Sequence, residues 1–494
     1  MLAGLALQLG AAVWFSGHID PDLARLMPDD AMYYLGIAAN IADGHGSVFS
    51  AGEPTNGYHP LWMAVLAGLH AVFRPGREAF VRIALLAAVA CSAAAAVVLR
   101  RLLAEAGLGP RQATLGLLLF LLSPWFVLST LSGLETPLFL LCLFLFFRAV
   151  LGAARDGPRA GIELGLSAGL LMLARTDAIF FTAGALLWLA IAGGRRGLAR
   201  AAAAFAVASL VMLPWLAWNQ VRFGTVVQSS AVAVPAWARY QALSTHHTPL
   251  DFARLFAGLA AEALGNAAFG LFQRSAHYGA HARDPLRVAL LVAIALQVAA
   301  AVRRALAGRR LRLPAAVWLA PPPLVLGFYV FVRMYVQVWH LAPLFVAALL
   351  AVCAAVPERR LEPRRVMLPA GAILLALSLL ALRAGWYWPQ QADDLVAKSI
   401  AFRAGSPRRL KVGITDCGYR GYFGRHQIVN LDGVVNQRAA HAILAGRFSD
   451  YVERERFDEV RVDPARLEFY DRNRAGEPRT WTPARDDSAQ SSSR

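Results

Sequence analysis

The chain has 494 residues, of which 57 % are hydrophobic and only 16 % charged, with a formal net charge of +17 and four cysteines. A mean hydropathy of +0.47 is too apolar for an ordinary soluble domain and points to a polytopic membrane protein. The basic excess sits in short arginine clusters between apolar segments, which reads as membrane topology and excludes a nucleic-acid partner; the scattered cysteines exclude a disulfide framework or a cysteine zinc site.

Met1 to about Gly17 is apolar but lacks a basic leader and a clear cleavage site, so it is expected to be a retained first span. The loop at 18–59 then carries Pro28-Asp29-Asp30-Ala31-Met32-Tyr33-Tyr34, with Asn40, Asp43-Gly44-His45-Gly46 and Asn56-Gly57-Tyr58-His59-Pro60 behind it. Apolar residues recur at helical spacing from Ala31 to Ala42, which predicts a short amphipathic helix on the membrane, capped by Asp29 or Asp30 and ended by Gly44. Capping alone would explain the two aspartates. Their place beside two tyrosines and two histidines also suits general-base chemistry, in which neighbouring carboxylates raise one pKa toward working pH.

Pro60–Phe73 is too short to span and is expected to be re-entrant or interfacial, whereas Phe80–Leu99 is long enough. Basic clusters at 100–111, 148–159, 195–200, 303–312 and 359–365 then fall on one side if Pro60–Phe73 does not cross. The count is about eleven spans with the N-terminus inside and the C-terminus outside. Polar groups collect on the outer face: the first loop, Ser132-Gly133-Leu134-Glu135-Thr136-Pro137, the turn Ala174-Arg175-Thr176-Asp177, a long loop at 219–284, and Arg333 to His340.

Glu135 opens a span, where an acid either caps the helix or faces a site. Arg175 is the cation best placed to meet an anionic leaving group, and a structural pair with Asp177 is the alternative; Arg333 is a second candidate. The long loop carries Trp237 and Tyr240 and the histidines His246, His247, His277 and His281, without the close spacing of a metal site. Residues 1–385 thus form the membrane module and 386–474 a small extracytoplasmic α/β domain with strands at Lys411–Thr415 and Gln427–Leu431 and helices at Ala439–Leu444 and Asp450–Arg456. Gly418, Gly421 and Gly424 read as turns that pack Tyr419, Tyr422 and Phe423, and 475–494 as a disordered tail.

The first-loop residues Asp29 to Tyr34, Asn40 to Gly46 and Thr55 to Trp62 together resemble the first extracytoplasmic loop of bacterial GT-C glycosyltransferases. Ser132 to Thr136 and Val429-Asn430-Leu431-Asp432-Gly433-Val434-Val435-Asn436 are similar to a subgroup of them, so the likeness extends over nearly the whole chain. It implies a GT-C-like, α-helical membrane enzyme of the bacterial inner membrane. Such an enzyme transfers a sugar, with inversion, from a polyprenyl-phosphate donor to a hydroxyl on a lipid, glycan or protein acceptor at the outer face.

By the same resemblance the base falls on Asp29 or Asp30, with Asp29 preferred, and Arg175 would hold the donor phosphate. Tyr33, Tyr34, His45, Asn56, His59, Glu135 and Asp177 are expected to line the substrate site. No cofactor is implied with certainty, and room is left for a divalent cation. A transporter or flippase is the rival class, but it would place ionisable groups within spans and show paired repeats. A silent scaffold that binds lipid-linked glycans is the other.

Overall fold

The computed structural model describes residues 2–17, 21–50, 52–154, 159–236, 285–308, 311–331, 338–384, 408–462, 467–468 and 470–471. The expectations for Trp237, Tyr240, His246, His247, His277, His281, Arg333 and the tail 475–494 lie outside the described residues.

Helices dominate. In chain order they are α1 (Leu2–Gly17), α2 (Pro21–Leu26), α3 (Asp29–Ala42), α4 (Pro60–Phe73), α5 (Arg77–Glu105), α6 (Pro110–Leu122), α7 (Pro124–Thr130), α8 (Thr136–Ala154), α9 (Ala160–Ala174), α10 (Ile179–Ala192) and α11 (Gly194–Phe223). From residue 285 onward come α12 (Pro285–Ala307), α13 (Ala315–Trp318), α14 (Pro321–Phe331), α15 (Ala342–Ala355) and α16 (Leu368–Ala384). Local chemistry sets several boundaries: Pro60, Pro110 and Pro124 each occupy the first helical position, where a missing N–H costs nothing.

Among the described residues, α5, α8, α11 and the segment Pro363–Arg383 are long and apolar enough to cross a membrane. Helices α6 and α7, bent by 55°, would form one further broken span, and shorter apolar helices, α4 included, fill in the bundle. The polytopic helical architecture expected from the sequence is therefore present. Its core is aromatic, with Trp62, Trp125, Phe139, Phe144, Phe146 and Phe147 fully buried.

Polar contacts gather at opposite ends of the bundle. At one end Arg148 pairs with Glu105 at 2.6 Å, Arg200 donates to the Ala153 carbonyl at 3.0 Å, and Gln112 donates to the carbonyls of Cys353 and Val356. That is the arginine-rich end. The first loop, Glu135, Arg175 and Asn219 occupy the other, and the C-terminal domain is docked there.

That domain holds β1 (Lys411–Ile414), α17 (Gly418–Phe423), β2 (Gln427–Asn430), α18 (Gln437–Leu444), α19 (Phe448–Glu455) and β3 (Glu459–Arg461). The strands form a parallel sheet of order β2-β1-β3, with Ile414 opposite both Asn430 and Arg461. The expected strands and helices are found; β3 was not foreseen. The glycine series is a short helix, α17, rather than turns. Its N-terminal N–H groups are satisfied by a carboxylate from far upstream, which a local reading cannot see.

Candidate active site

Helix α3 opens with Asp29 and Asp30 in its first turn, after Pro28, which is the N-cap and offers no side-chain oxygen. Neither aspartate is the N-cap that the sequence suggested, although both charges still favour the helix dipole. Their carboxylates have different surroundings. Asp29 accepts the backbone N–H of Gly418 on Oδ2 at 2.6 Å and that of Tyr419 on Oδ1 at 2.9 Å. It thus caps α17 from another part of the chain. Burial raises the Asp29 pKa and these two N–H groups act against that rise.

Asp30 has no hydrogen-bond partner among the described residues. Its pKa is pushed up to about 8, first by burial and then by the charges of Asp29, Asp432, Asp416 and Glu135. Two of those acids, Asp416 and Asp432, come from the loops that follow β1 and β2 in the C-terminal domain. The sequence reading had given neither a role.

Tyr33, one turn further on, is an anchor. Its hydroxyl accepts the Cys417 N–H at 2.9 Å and the Asn430 side-chain amide at 3.1 Å. Asn56 is equally committed, donating to the Asn219 side chain and the Val227 carbonyl, both at 3.2 Å, and accepting the Ser229 N–H at 2.9 Å. His45 is exposed in the tip of the first loop, and its side chain makes no hydrogen bond or ion pair with the other candidates among the described residues.

The remaining candidates form one buried network around Arg175, whose side chain is 1 % exposed. Its Nε and Nη2 donate to the two oxygens of Asp177 at 3.1 and 2.8 Å, and Nη1 donates to Glu135 at 3.0 Å. The second Glu135 oxygen accepts the Tyr34 hydroxyl at 3.2 Å, and that hydroxyl accepts the His59 N–H at 3.0 Å. The His59 ring lies 3.7 Å from Glu135. Burial lowers the His59 pKa, with Glu135 acting in the opposite sense. Tyr329 on α14, which the sequence reading missed, donates to Asp177 and accepts from Arg175 at 3.3 Å. Burial works against an ionised Asp177, yet Arg175 and the Tyr329 hydroxyl hold its pKa below the ordinary carboxylate range.

Two carboxylates share one guanidinium, so the cation expected to meet a phosphate is already neutralised here. The turn before α8 explains how Glu135 reaches it. Gly133 has φ +72°, a conformation that L side chains avoid, and its carbonyl accepts the Trp62 indole N–H at 3.0 Å. Among the described residues no three of His, Cys, Asp and Glu converge in a way that could hold a metal ion.

A family model described as dolichyl-phosphate-mannose-protein mannosyltransferase matches residues 58–218, about a third of the chain. No curated protein matches in sequence. Among solved structures, ArnT from Cupriavidus metallidurans bound to undecaprenyl phosphate is similar, with a TM-score of 0.56 and 14 % identity over 92 % of this chain and 89 % of that one. The oligosaccharyltransferase AglB from Archaeoglobus fulgidus, in complex with an inhibitory peptide and a dolichol-phosphate, is similar with a TM-score of 0.51 and 14 % identity, over 92 % of this chain and 68 % of that one. At such identities the likeness to the solved structures is one of fold. Together with the family match it bears out the resemblance to GT-C glycosyltransferases seen in the sequence.

Proposed function

We propose that this membrane protein of GT-C glycosyltransferase fold transfers a sugar from a polyprenyl-phosphate donor to an acceptor hydroxyl at the outer face of a bacterial inner membrane. Asp30 is the general base. The observation that carries this reading is the contrast between adjacent acids: both Asp29 oxygens are taken by N–H groups of α17, while Asp30 has no hydrogen-bond partner among the described residues. Asp29, preferred from the sequence alone, becomes the residue that fixes the start of α3.

In the proposed step the acceptor oxygen attacks C1 of the sugar and its proton passes to the Asp30 carboxylate. The bond from C1 to the phosphate oxygen breaks with its electron pair on the leaving polyprenyl phosphate, which inverts the anomeric centre. A base whose pKa lies near working pH suits this transfer. The arginine-rich end of the bundle supports a cytoplasmic placement for that end, which puts the acids outside. Arg175 holds the wall of the site through Asp177 and Glu135.

The test is sugar transfer by the purified protein in lipid nanodiscs, supplied with polyprenyl-phosphate sugars and membrane extract as acceptor. Asp30→Asn is expected to lower the rate by about 10²–10⁴-fold, the range for loss of a general base, while the protein remains folded. Full transfer by that variant would remove Asp30 from the role.

A further inference from the structure

Four consecutive backbone N–H groups of the C-terminal domain are each donated to a side chain, three of them to α3 and the first within the domain. Asp416 N–H goes to Asp432 Oδ2 at 3.1 Å, Cys417 N–H to the Tyr33 hydroxyl at 2.9 Å, and those of Gly418 and Tyr419 to Asp29. Asp432 holds the loop of its own domain as well, accepting the Val434 N–H on Oδ1 at 3.0 Å. Only 5 % of Asp432 is exposed. The fit is close: a Cβ on Gly418 would overlap the Asp29 carbonyl oxygen, and one on Gly421 would overlap the Phe49 ring. From the other side, the Tyr419 hydroxyl donates to the Met27 carbonyl at 3.0 Å, just before α3.

We infer that Asp432 of the C-terminal domain is a positioning residue for Asp30, acting through the Asp416–Tyr419 segment that grips the start of α3. This deepens the proposed function and rests on Asp30 being its base. The charged groups that act on Asp30 are Asp29 on its own helix, Glu135 ahead of α8, and Asp416 and Asp432 from the C-terminal domain. All of them are acids. Asp432 therefore acts in two ways at once: its hydrogen bonds seat the segment that orients α3, and its negative charge favours the protonated form of Asp30. The domain is on this account part of the reaction site.

The experiment is an infrared titration of the full-length protein in nanodiscs with ¹³C-labelled aspartate, the Asp30 carboxyl band being assigned by its absence in Asp30→Asn. Asp432→Asn keeps one acceptor oxygen and removes the charge. It is expected to move the Asp30 midpoint down by about one pH unit, the scale of a neighbouring charge, while Asp432→Glu leaves it near the parent value. Asp416→Asn, at an exposed position with φ +49° that asparagine tolerates, is expected to move the midpoint in the same direction and serves if the Asp432 variant does not fold.

An unchanged midpoint in both neutral variants overturns the inference and leaves the proposed sugar transfer standing. Conversely, absence of transfer by the parent protein would sink the function while the titration still decides the coupling.

Discussion

Gly418 presses against Asp29 so closely that its N–H donates to the carboxylate at 2.6 Å and no side chain fits between the two backbones. Residues separated by 389 positions thus share one capping interaction, and it joins the membrane module to the C-terminal domain. Gly418→Ala would drive its methyl into the Asp29 backbone and carboxyl carbon, and is expected to push α17 away from α3 while every acid is retained. Protease cleavage of the domain should rise and transfer should fall at least tenfold, while unchanged proteolysis would show that the contact does not hold the two parts together.

The two aspartates should respond differently to substitution. In Asp29→Asn one of the two N–H groups loses its acceptor and faces an amide donor, a loss of about 1–3 kcal/mol for a buried unsatisfied group. The expected outcome is a lower melting temperature with residual transfer. Asp30→Asn should instead lower transfer by about 10²–10⁴-fold without lowering the melting temperature. Identical behaviour of the two variants would argue against dividing their roles.

Acidity should control the rate with a defined sign. Asp30, held at about 8 by burial and by its acidic neighbours, accepts a proton only when ionised, so kcat/KM should fall tenfold per pH unit below that value. Stability should move the opposite way. The folded state keeps the proton up to about pH 8, whereas the unfolded chain releases it near its ordinary value of 3.8, so stability declines as pH rises between them. Asp30→Asn should therefore raise the melting temperature at pH 8.5 by on the order of 2–5 °C and change it little at pH 4. A pH-independent rate from 5 to 9 would contradict the assignment.

Removing Arg175 should unfold the site rather than merely slow it. Arg175→Leu leaves Asp177 and Glu135 buried without their shared cation, and breaking such a pair costs about 3–5 kcal/mol. Thermal unfolding in detergent should show the loss. The triple variant Arg175→Leu, Asp177→Asn, Glu135→Gln should recover most of it, because neutral groups of the same shape carry no uncompensated charge. Failure of the triple variant to recover would mean that the guanidinium does more than balance charge.

Much of this arrangement is legible in the sequence. Asp29, Asp30, Glu135, Arg175 and Asp177 stand out because ionisable groups at the ends of apolar segments are costly and few. Tyr34 and His59 were placed with them by the first-loop pattern and do join the Arg175 network. Tyr329 was not found, since a tyrosine in an apolar run gives no local sign of a partner 152 residues away. Asp416 and Asp432 were passed over for a related reason. They resemble ordinary loop acids until the sheet brings the ends of β1 and β2 against α3. Tyr33 and Asn56 were expected in the substrate site and are hydrogen-bonded to other parts of the chain, which one-dimensional spacing cannot distinguish from ligand contact.

The guanidinium buried among Asp177, Tyr329 and Glu135 also bears on biogenesis. As the chain leaves the ribosome, Glu135 precedes Arg175 by 40 residues and Asp177 follows it by two, so both counter-charges reach the translocon with the cation or before it. Tyr329 arrives 154 residues later and only closes the cluster. The order of synthesis lets these early segments enter the bilayer as a neutralised hairpin assembly, with no stage at which the arginine must wait in lipid for a distant partner.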